Sequence, residues 1–177
     1  FPLNVKMNKE GYDDIDVVQD RGTTPRSPNA FEAAANETGA IVLGVRHQSE
    51  FVQGHIPRSI FIGLDGSFAP WVGDLIADVK QPILLVTPEG REKETVTRLS
   101  RVGFDNTLGV LEGGIAAWKN AGKEVDSLKS VSAVDAKMAL AKNTAAVFDV
   151  RKDGEFQSEH LRNAQHTSLS ELNNHLA

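Results

Sequence analysis

Two stretches of this chain repeat one another without a gap. Sliding the sequence by 105 positions lays residues 27–64 over residues 132–169. Ser27 then falls on Ser132, Val42 on Val147, Val45 on Val150, Arg46 on Arg151, Glu50 on Glu155, Phe51 on Phe156, His55 on His160 and Leu64 on Leu169. The matches fall at a helix cap, a strand and the turn after it, where one shared fold places its determinants. Both copies must therefore fold to the same local plan, and a second copy begins near Ser130.

The plan is legible in the first copy. Ser27-Pro28 supplies a side-chain cap followed by proline at the first helical position, and Gly39 ends the short helix. The apolar run 40–43 is that of a strand covered on both sides, as is 83–86 after Pro82. Between them lie a polar helical turn around Ser49-Glu50-Phe51 and the segment 54–60. Val96, Leu99 and Val102 recur at helical spacing before Gly103. A strand near 107–111 leads through Gly113-Gly114 to a helix holding Trp118 and ending at Gly122. Strands alternating with helices predict an α/β domain, a mainly parallel sheet flanked by helices on both faces. The expected organisation is a polar linker or tail over 1–26, a domain over 27–126, and the start of a second copy over 127–177 that stops before its own counterpart of strand 83–86.

Composition narrows the function. The chain has no cysteine among its 177 residues, so it holds no disulfide, zinc–thiolate cluster, Fe–S site or thiol nucleophile. A net charge of −5 argues against general nucleic-acid or membrane-surface binding. No apolar run approaches a membrane span and no signal pattern opens the chain, so a cytoplasmic location is expected. His47, His55, His160, His166 and His175 form no i, i+4 pair within a copy, and no metal site is predicted. Gly113-Gly114 lacks the further glycine of a dinucleotide fingerprint. The carboxylates Asp13-Asp14 and Glu92/Glu94 are expected as solvated linker and helix-start charges.

Three stretches together resemble the rhodanese-like family: Leu43-Gly44-Val45-Arg46 with Glu50-Phe51 and Gly54-His55-Ile56-Pro57-Arg58-Ser59; the strand, loop and helix over 83–104; and Gly113-Gly114-Ile115-Ala116-Ala117-Trp118 through Val125. The resemblance implies a three-layer rhodanese-like fold with a partial second copy. More narrowly, Asn4-Val5-Lys6-Met7-Asn8-Lys9-Glu10-Gly11-Tyr12 and Phe68-Ala69-Pro70-Trp71-Val72-Gly73 resemble the C-terminal part of fusions joining a metallo-β-lactamase-fold hydrolase to rhodanese-like repeats, some of them similar to persulfide dioxygenases. That match implies an upstream domain holding a metal, Fe or Zn, with this chain needing no cofactor of its own. The implied partners are that domain and a homo-oligomer.

Members that transfer sulfur use a cysteine at the position that is Thr87 here. A hydroxyl titrates far above neutrality and forms no persulfide equivalent, so the resemblance implies that the loop Thr87, Pro88, Glu89, Gly90, Arg91 and Glu92 is a vestigial active-site loop. Pro88 removes a backbone donor. Glu89 and Glu92 oppose an oxyanion by about 1 kcal/mol each in a partly solvated loop. The residue-level expectation is a strand-to-helix turn whose N–H groups are capped internally. Gly44 stands where the family usually has aspartate, while the second copy keeps Asp149 beside Arg151. Arg46, His55, Asp149 and Arg151 are candidate loop-organising residues; the arginines are expected to pair with Glu50 and Glu155, and the histidines to stabilise a turn. Phe68 and Trp71 are candidate partner contacts. The expected function is a catalytically inactive regulatory, docking or scaffolding module in sulfur metabolism. Two alternatives stand beside it: a sulfurtransferase whose second copy carries the active cysteine, 41 residues after Arg151 as Thr87 lies after Arg46, and a loop adapted to bind a small molecule or peptide.

Overall fold

The computed structural model describes residues 14–142, 144–169 and 171. The chain forms two compact units that divide between Lys129 and Ser130. In the first, the chain runs through α1 (Ile15–Gly22), β1 (Pro25–Arg26), α2 (Pro28–Thr38), β2 (Ile41–Gly44), α3 (Gln48–Gln53), β3 (Ile60–Phe61), α4 (Phe68–Leu75), β4 (Ile83–Val86), α5 (Glu92–Ser100), β5 (Thr107–Leu111) and α6 (Gly114–Asn120). The sheet has strand order β1-β5-β4-β2-β3, and every pairing is parallel.

The continuous apolar runs are explained by the pleat, which sends alternate residues to opposite faces. From β4, Ile83 and Leu85 join a cluster with Val18, Phe68, Val72, Val96 and Leu99, beneath α1, α4 and α5. Leu84 and Val86 join the other, with Phe31, Trp118 and Ile115, beneath α2 and α6. All four residues of β4 are buried. Three layers result, as expected. Ser27 caps α2 by accepting from the Ala30 N–H, Pro28 opens it, and Gly39 closes it in the left-handed conformation. After α6 the chain returns to the turn following α3, where His55 and Asp126 exchange backbone hydrogen bonds of 2.9 Å.

Residues 15–26 correct the expectation of a linker. They form α1 and β1, built into the same sheet. Periodicity missed α1 because only Val18 of its apolar residues is buried, while Ile15 and Val17 are exposed. Polar side chains fasten it instead. Gln19 donates to Thr97 Oγ1 at 2.9 Å, and Arg21 donates to the carbonyls of Thr107 and Asp105. Gly22 permits the closest approach: a Cβ there would lie 2.2 Å from Thr107 Oγ1 and 2.8 Å from a Val96 methyl. In β1, the Thr24 and Arg26 carbonyls accept from Val110 and Glu112 of the β5 side, each at 2.9 Å. Proline is tolerated in β1 because it is an edge strand. The Asn4–Tyr12 motif and Asp13 lie outside the described residues.

The second unit contains α7 (Ala133–Ala141), β6 (Phe148–Asp149), α8 (Asp153–Ser158) and β7 (Gln165–His166), with β6 and β7 parallel. Adding 105 to α3 gives α8, and adding 105 to β3 gives β7, residue for residue. Even the rare positive φ recurs, 64° at Arg58 and 66° at Asn163. The repeat seen in sequence is thus a repeat of structure. Among the described residues, no helix is long and apolar enough to cross a membrane.

Candidate functional site

Thr87 follows the central strand β4 at its C-terminal end, where open parallel sheets place their ligands. The loop from Thr87 to Arg91 then turns into α5, and Gly90 makes the turn at a φ of 77°. A backbone loop ahead of a helix N-terminus normally offers N–H groups to an anion. Here the chain supplies the anion itself. One carboxylate oxygen of Glu92, the first residue of α5, accepts from the Gly90 N–H at 3.1 Å and from the Thr87 hydroxyl at 3.4 Å. The Arg91 N–H is turned back onto the Pro88 carbonyl at 3.2 Å. The N–H groups of Gly90 and Arg91 are therefore both taken by acceptors within the loop and the start of α5.

The loop's one cation is also engaged. The Arg91 guanidinium donates two bonds of 2.9 Å to Glu94 and one of 2.7 Å to Asp65. These bonds raise the Arg91 pKa and hold the Glu94 carboxyl below the usual carboxylate range. Arg98 is drawn to the Leu64 carbonyl at 2.6 Å and lies over the Phe68 ring. A cleft of about 380 Å³ beside the loop carries Glu92 and Glu112 against Lys93 alone. The larger groove, about 570 Å³ and bounded by Phe31, Ile41, Arg58 and Trp118, lies at the opposite end of the strands, where β2 and β3 begin.

The two copies differ after the strand. Arg151 clasps Asp149 through contacts of 3.0 and 2.6 Å and donates to the Glu159 carbonyl at 2.8 Å. This pairing holds the Asp149 pKa at about 2 and raises that of Arg151. Arg46 makes the matching backbone bond, to the Gly54 carbonyl at 2.7 Å. With Gly44 in place of the aspartate, its buried Nε has no partner. Burial lowers the Arg46 pKa, opposed by the nearby charge of Glu50. Neither arginine takes the glutamate expected for it: Glu50 and Glu155 instead accept from the backbone N–H of His47 and Lys152 as capping residues. A Cβ at Gly44 would meet the Phe51 ring at 2.9 Å, so a side chain there would require that ring to shift.

His55 and His160 hold the same turn in each copy. Their Nδ1 atoms pair with the Phe51 and Phe156 carbonyls at 3.0 and 2.8 Å, and their rings stack on those same phenylalanines. Sequence comparison of the copies did not single out His166, which replaces Phe61. It stacks on the other side of Phe156, and its Nε2 pairs with the Arg151 carbonyl at 2.8 Å.

Phe68 corrects the expectation of a partner contact. It opens helix α4, is 1% exposed and belongs to the core. Trp71 is half-buried and packs against that core. Pro70 sits in the first turn of α4, where a missing N–H costs no helical bond. Among the described residues, no group of three or more His, Asp or Glu is placed to hold a metal ion.

Comparison with known proteins gives this arrangement a context. A family model described as "Rhodanese-like domain" matches residues 27–121, more than half of the chain. The adenylyltransferase and sulfurtransferase uba4 of Pyricularia oryzae is 31% identical over 116 residues, covering 55% of this chain and 23% of that protein. The protein YibN of Escherichia coli K12 is 31% identical over 84 residues, covering 47% of this chain and 58% of that protein. The chain thus spans less than two thirds of either relative. Among solved structures, a thiosulfate sulfurtransferase from Pseudomonas aeruginosa superposes with a TM-score of 0.50 at 19% identity, over 92% of this chain and 38% of that one.

Proposed function

Because this chain belongs to the rhodanese-like domain family yet contains no cysteine, we propose that its first unit is a rhodanese-like module without sulfur-transfer chemistry. It serves as the regulatory, docking or scaffolding part of a larger protein of sulfur metabolism. One observation carries the reading: the hydroxyl of Thr87 and the N–H of Gly90 are both taken by Glu92.

Sulfur transfer needs a thiolate that attacks a sulfane sulfur, holds it as a persulfide and releases it to an acceptor. Thr87 offers a hard, un-ionised oxygen in place of sulfur. Glu92 offers a negative charge where a thiosulfate dianion would need donors. Arg91, the cation nearest in sequence, is neutralised by Asp65 and Glu94. What survives is the scaffold: two apolar clusters, the parallel sheet and a loop closed on its own carboxylate.

The larger protein, in this reading, joins a metallo-β-lactamase-fold hydrolase of the persulfide dioxygenase type to these repeats. Support comes from the resemblance of Asn4–Tyr12 and of residues 68–73 to such fusions. Iron or zinc would sit in that upstream domain, which would also be the module's partner, with a homo-oligomer as the assembled form.

Two measurements test the proposal. Purified 177-residue chain incubated with thiosulfate and cyanide is expected to release thiocyanate only at the uncatalysed rate; faster release overturns the inactive reading. The natural full-length polypeptide is expected to contain stoichiometric iron or zinc by elemental analysis. A metal-free, fully folded full-length protein overturns the fusion.

A further inference from the structure

The groove of about 570 Å³ lies at the end of the sheet away from Thr87, between α2 and the turn that leads into β3. Its volume suits a small ligand or a few peptide residues. The floor is apolar: Phe31, Ile56 and Trp118 are 0%, 7% and 4% exposed and pack in one cluster. The single polar atom among those side chains is already satisfied, because the Trp118 Nε1–H donates to the Glu124 carbonyl at 2.8 Å. Such a floor gains from an apolar group and offers no hydrogen bond to a polar one.

Three charged side chains line the rim: Glu32, Arg58 and Glu124. Glu32 is neutralised by Lys123, whose ammonium also lies 5.2 Å from the centre of the Trp118 ring. Arg58 and Glu124 are exposed, and neither side chain has a hydrogen-bond or ion-pair partner among the described residues. Arg58 holds a φ of 64°, a left-handed conformation that Gly, Asn and Asp tolerate best. Its counterpart at +105, Asn163, has a φ of 66°. The turn thus requires that conformation, and the second copy meets it with a residue type suited to it. Arginine in the first copy carries the strain with no side-chain contact to offset it. Backbone strain beneath an unpaired cation, beside an apolar floor, marks a ligand site.

We propose that this groove binds an extended peptide segment of a partner protein. An apolar side chain of that segment lies on Phe31, Ile56 and Trp118, flanked by a carboxylate on Arg58 and a cationic side chain facing Glu124. Charge complementarity selects this occupant. An apolar molecule with a single charge would pair with one of the two free rim groups and meet like charge at the other. A peptide carries both signs around one apolar residue. The groove and the Thr87 loop lie at opposite ends of the strands, so the inference holds whether or not that loop is active.

The test is selection of random heptapeptides displayed on phage against the 177-residue chain, followed by titration of the enriched peptides. Enrichment of an apolar residue flanked by one acidic and one basic residue is expected. Binding should move the Trp118 indole resonance, which Trp71→Phe distinguishes from the other tryptophan. Arg58→Asn keeps the turn, as Asn163 does, and should weaken binding about tenfold. Replacing the peptide's acid by its amide should cost a similar factor, and the two losses combined should fall short of their product, as they must for groups in contact. No enrichment, binding that leaves Trp118 unmoved, an affinity unchanged by Arg58→Asn, or losses that multiply in full would each overturn the proposal. So would octanoate, with its single charge, binding the groove as tightly as the enriched peptides.

Discussion

A thiol installed at position 87 ought to be a poor nucleophile, for a reason that can be worked from the loop. In Thr87→Cys the sulfur replaces a hydroxyl that lies 3.4 Å from the Glu92 carboxylate. A thiolate at that distance is disfavoured by about 1.2 kcal/mol at the dielectric constant of water and by about 2.4 kcal/mol at an effective value of 40, which brackets a half-buried loop. The N-terminus of α5 acts in the other direction, by about 0.3–1 kcal/mol. Comparing Thr87→Cys with Thr87→Cys/Glu92→Gln cancels the helix contribution, because both variants share it. The difference isolates the carboxylate: neutralising Glu92 should lower the midpoint of thiol ionisation by roughly one to two pH units. At pH 7 the double variant should then react with iodoacetamide about tenfold faster or more. The assay is clean, since the chain has no other cysteine. Alkylation rate is followed from pH 6 to 11, with the ultraviolet absorbance of the thiolate as a second readout. Equal midpoints in the two variants, or an ordinary or depressed midpoint in Thr87→Cys alone, would refute the claim that Glu92 occupies the loop.

Two further outcomes follow from contacts elsewhere. Gly22→Ala places a methyl 2.2 Å from Thr107 Oγ1 and against Val96, so it should destabilise the first unit by about 1–3 kcal/mol through overpacking. Urea unfolding followed by tryptophan fluorescence reads this directly, and an unchanged midpoint would show that α1 is not packed at Gly22 as described. In the second unit, the Asp149 pKa of about 2 lies below its ordinary 3.8. Its contribution is complete above that ordinary value and is lost as pH falls through about 2. Amide exchange within residues 144–169 should therefore accelerate as pH falls from 4 toward 2, after correction for intrinsic rates. Asp149→Asn should lack that component; identical profiles would refute the pairing with Arg151.

Strands β2, β4 and β5, the Ser27–Pro28 cap, the helix carrying Val96 and Leu99 and the repeat itself were readable in the sequence, because each depends on apolar spacing or a local capping rule. What escaped has a common cause. Helix α1 is attached by Gln19, Arg21 and the absence of a side chain at Gly22, none of which has a periodic signature. Helix α4 begins Phe-Ala-Pro-Trp, and its proline is compatible with a helix only because it falls in the first turn, a placement that apolar spacing does not reveal. At the loop, the missing thiol was plain from composition. The seating of Glu92 on Gly90 was not, because Glu89, Glu92 and Glu94 are chemically alike and only the turn decides which one folds back. The partners of Arg46 and Arg151 were misjudged similarly: nearby glutamates were the obvious candidates, but capping the next helix claimed them first.

The carboxylate held in the loop also bears on how reversible such a change is in evolution. Once Glu92 satisfies the Gly90 N–H and the Thr87 hydroxyl, a mutation placing sulfur at position 87 yields a thiol whose ionisation the carboxylate opposes. A mutation removing Glu92 first frees two loop groups with no catalytic return. Each step on the way back is neutral or unfavourable alone, and only the pair together is rewarded. On the reading proposed above, a contact of 3.1 Å within one loop acts as a ratchet, making a change from catalyst to scaffold easier to traverse in one direction than in the other.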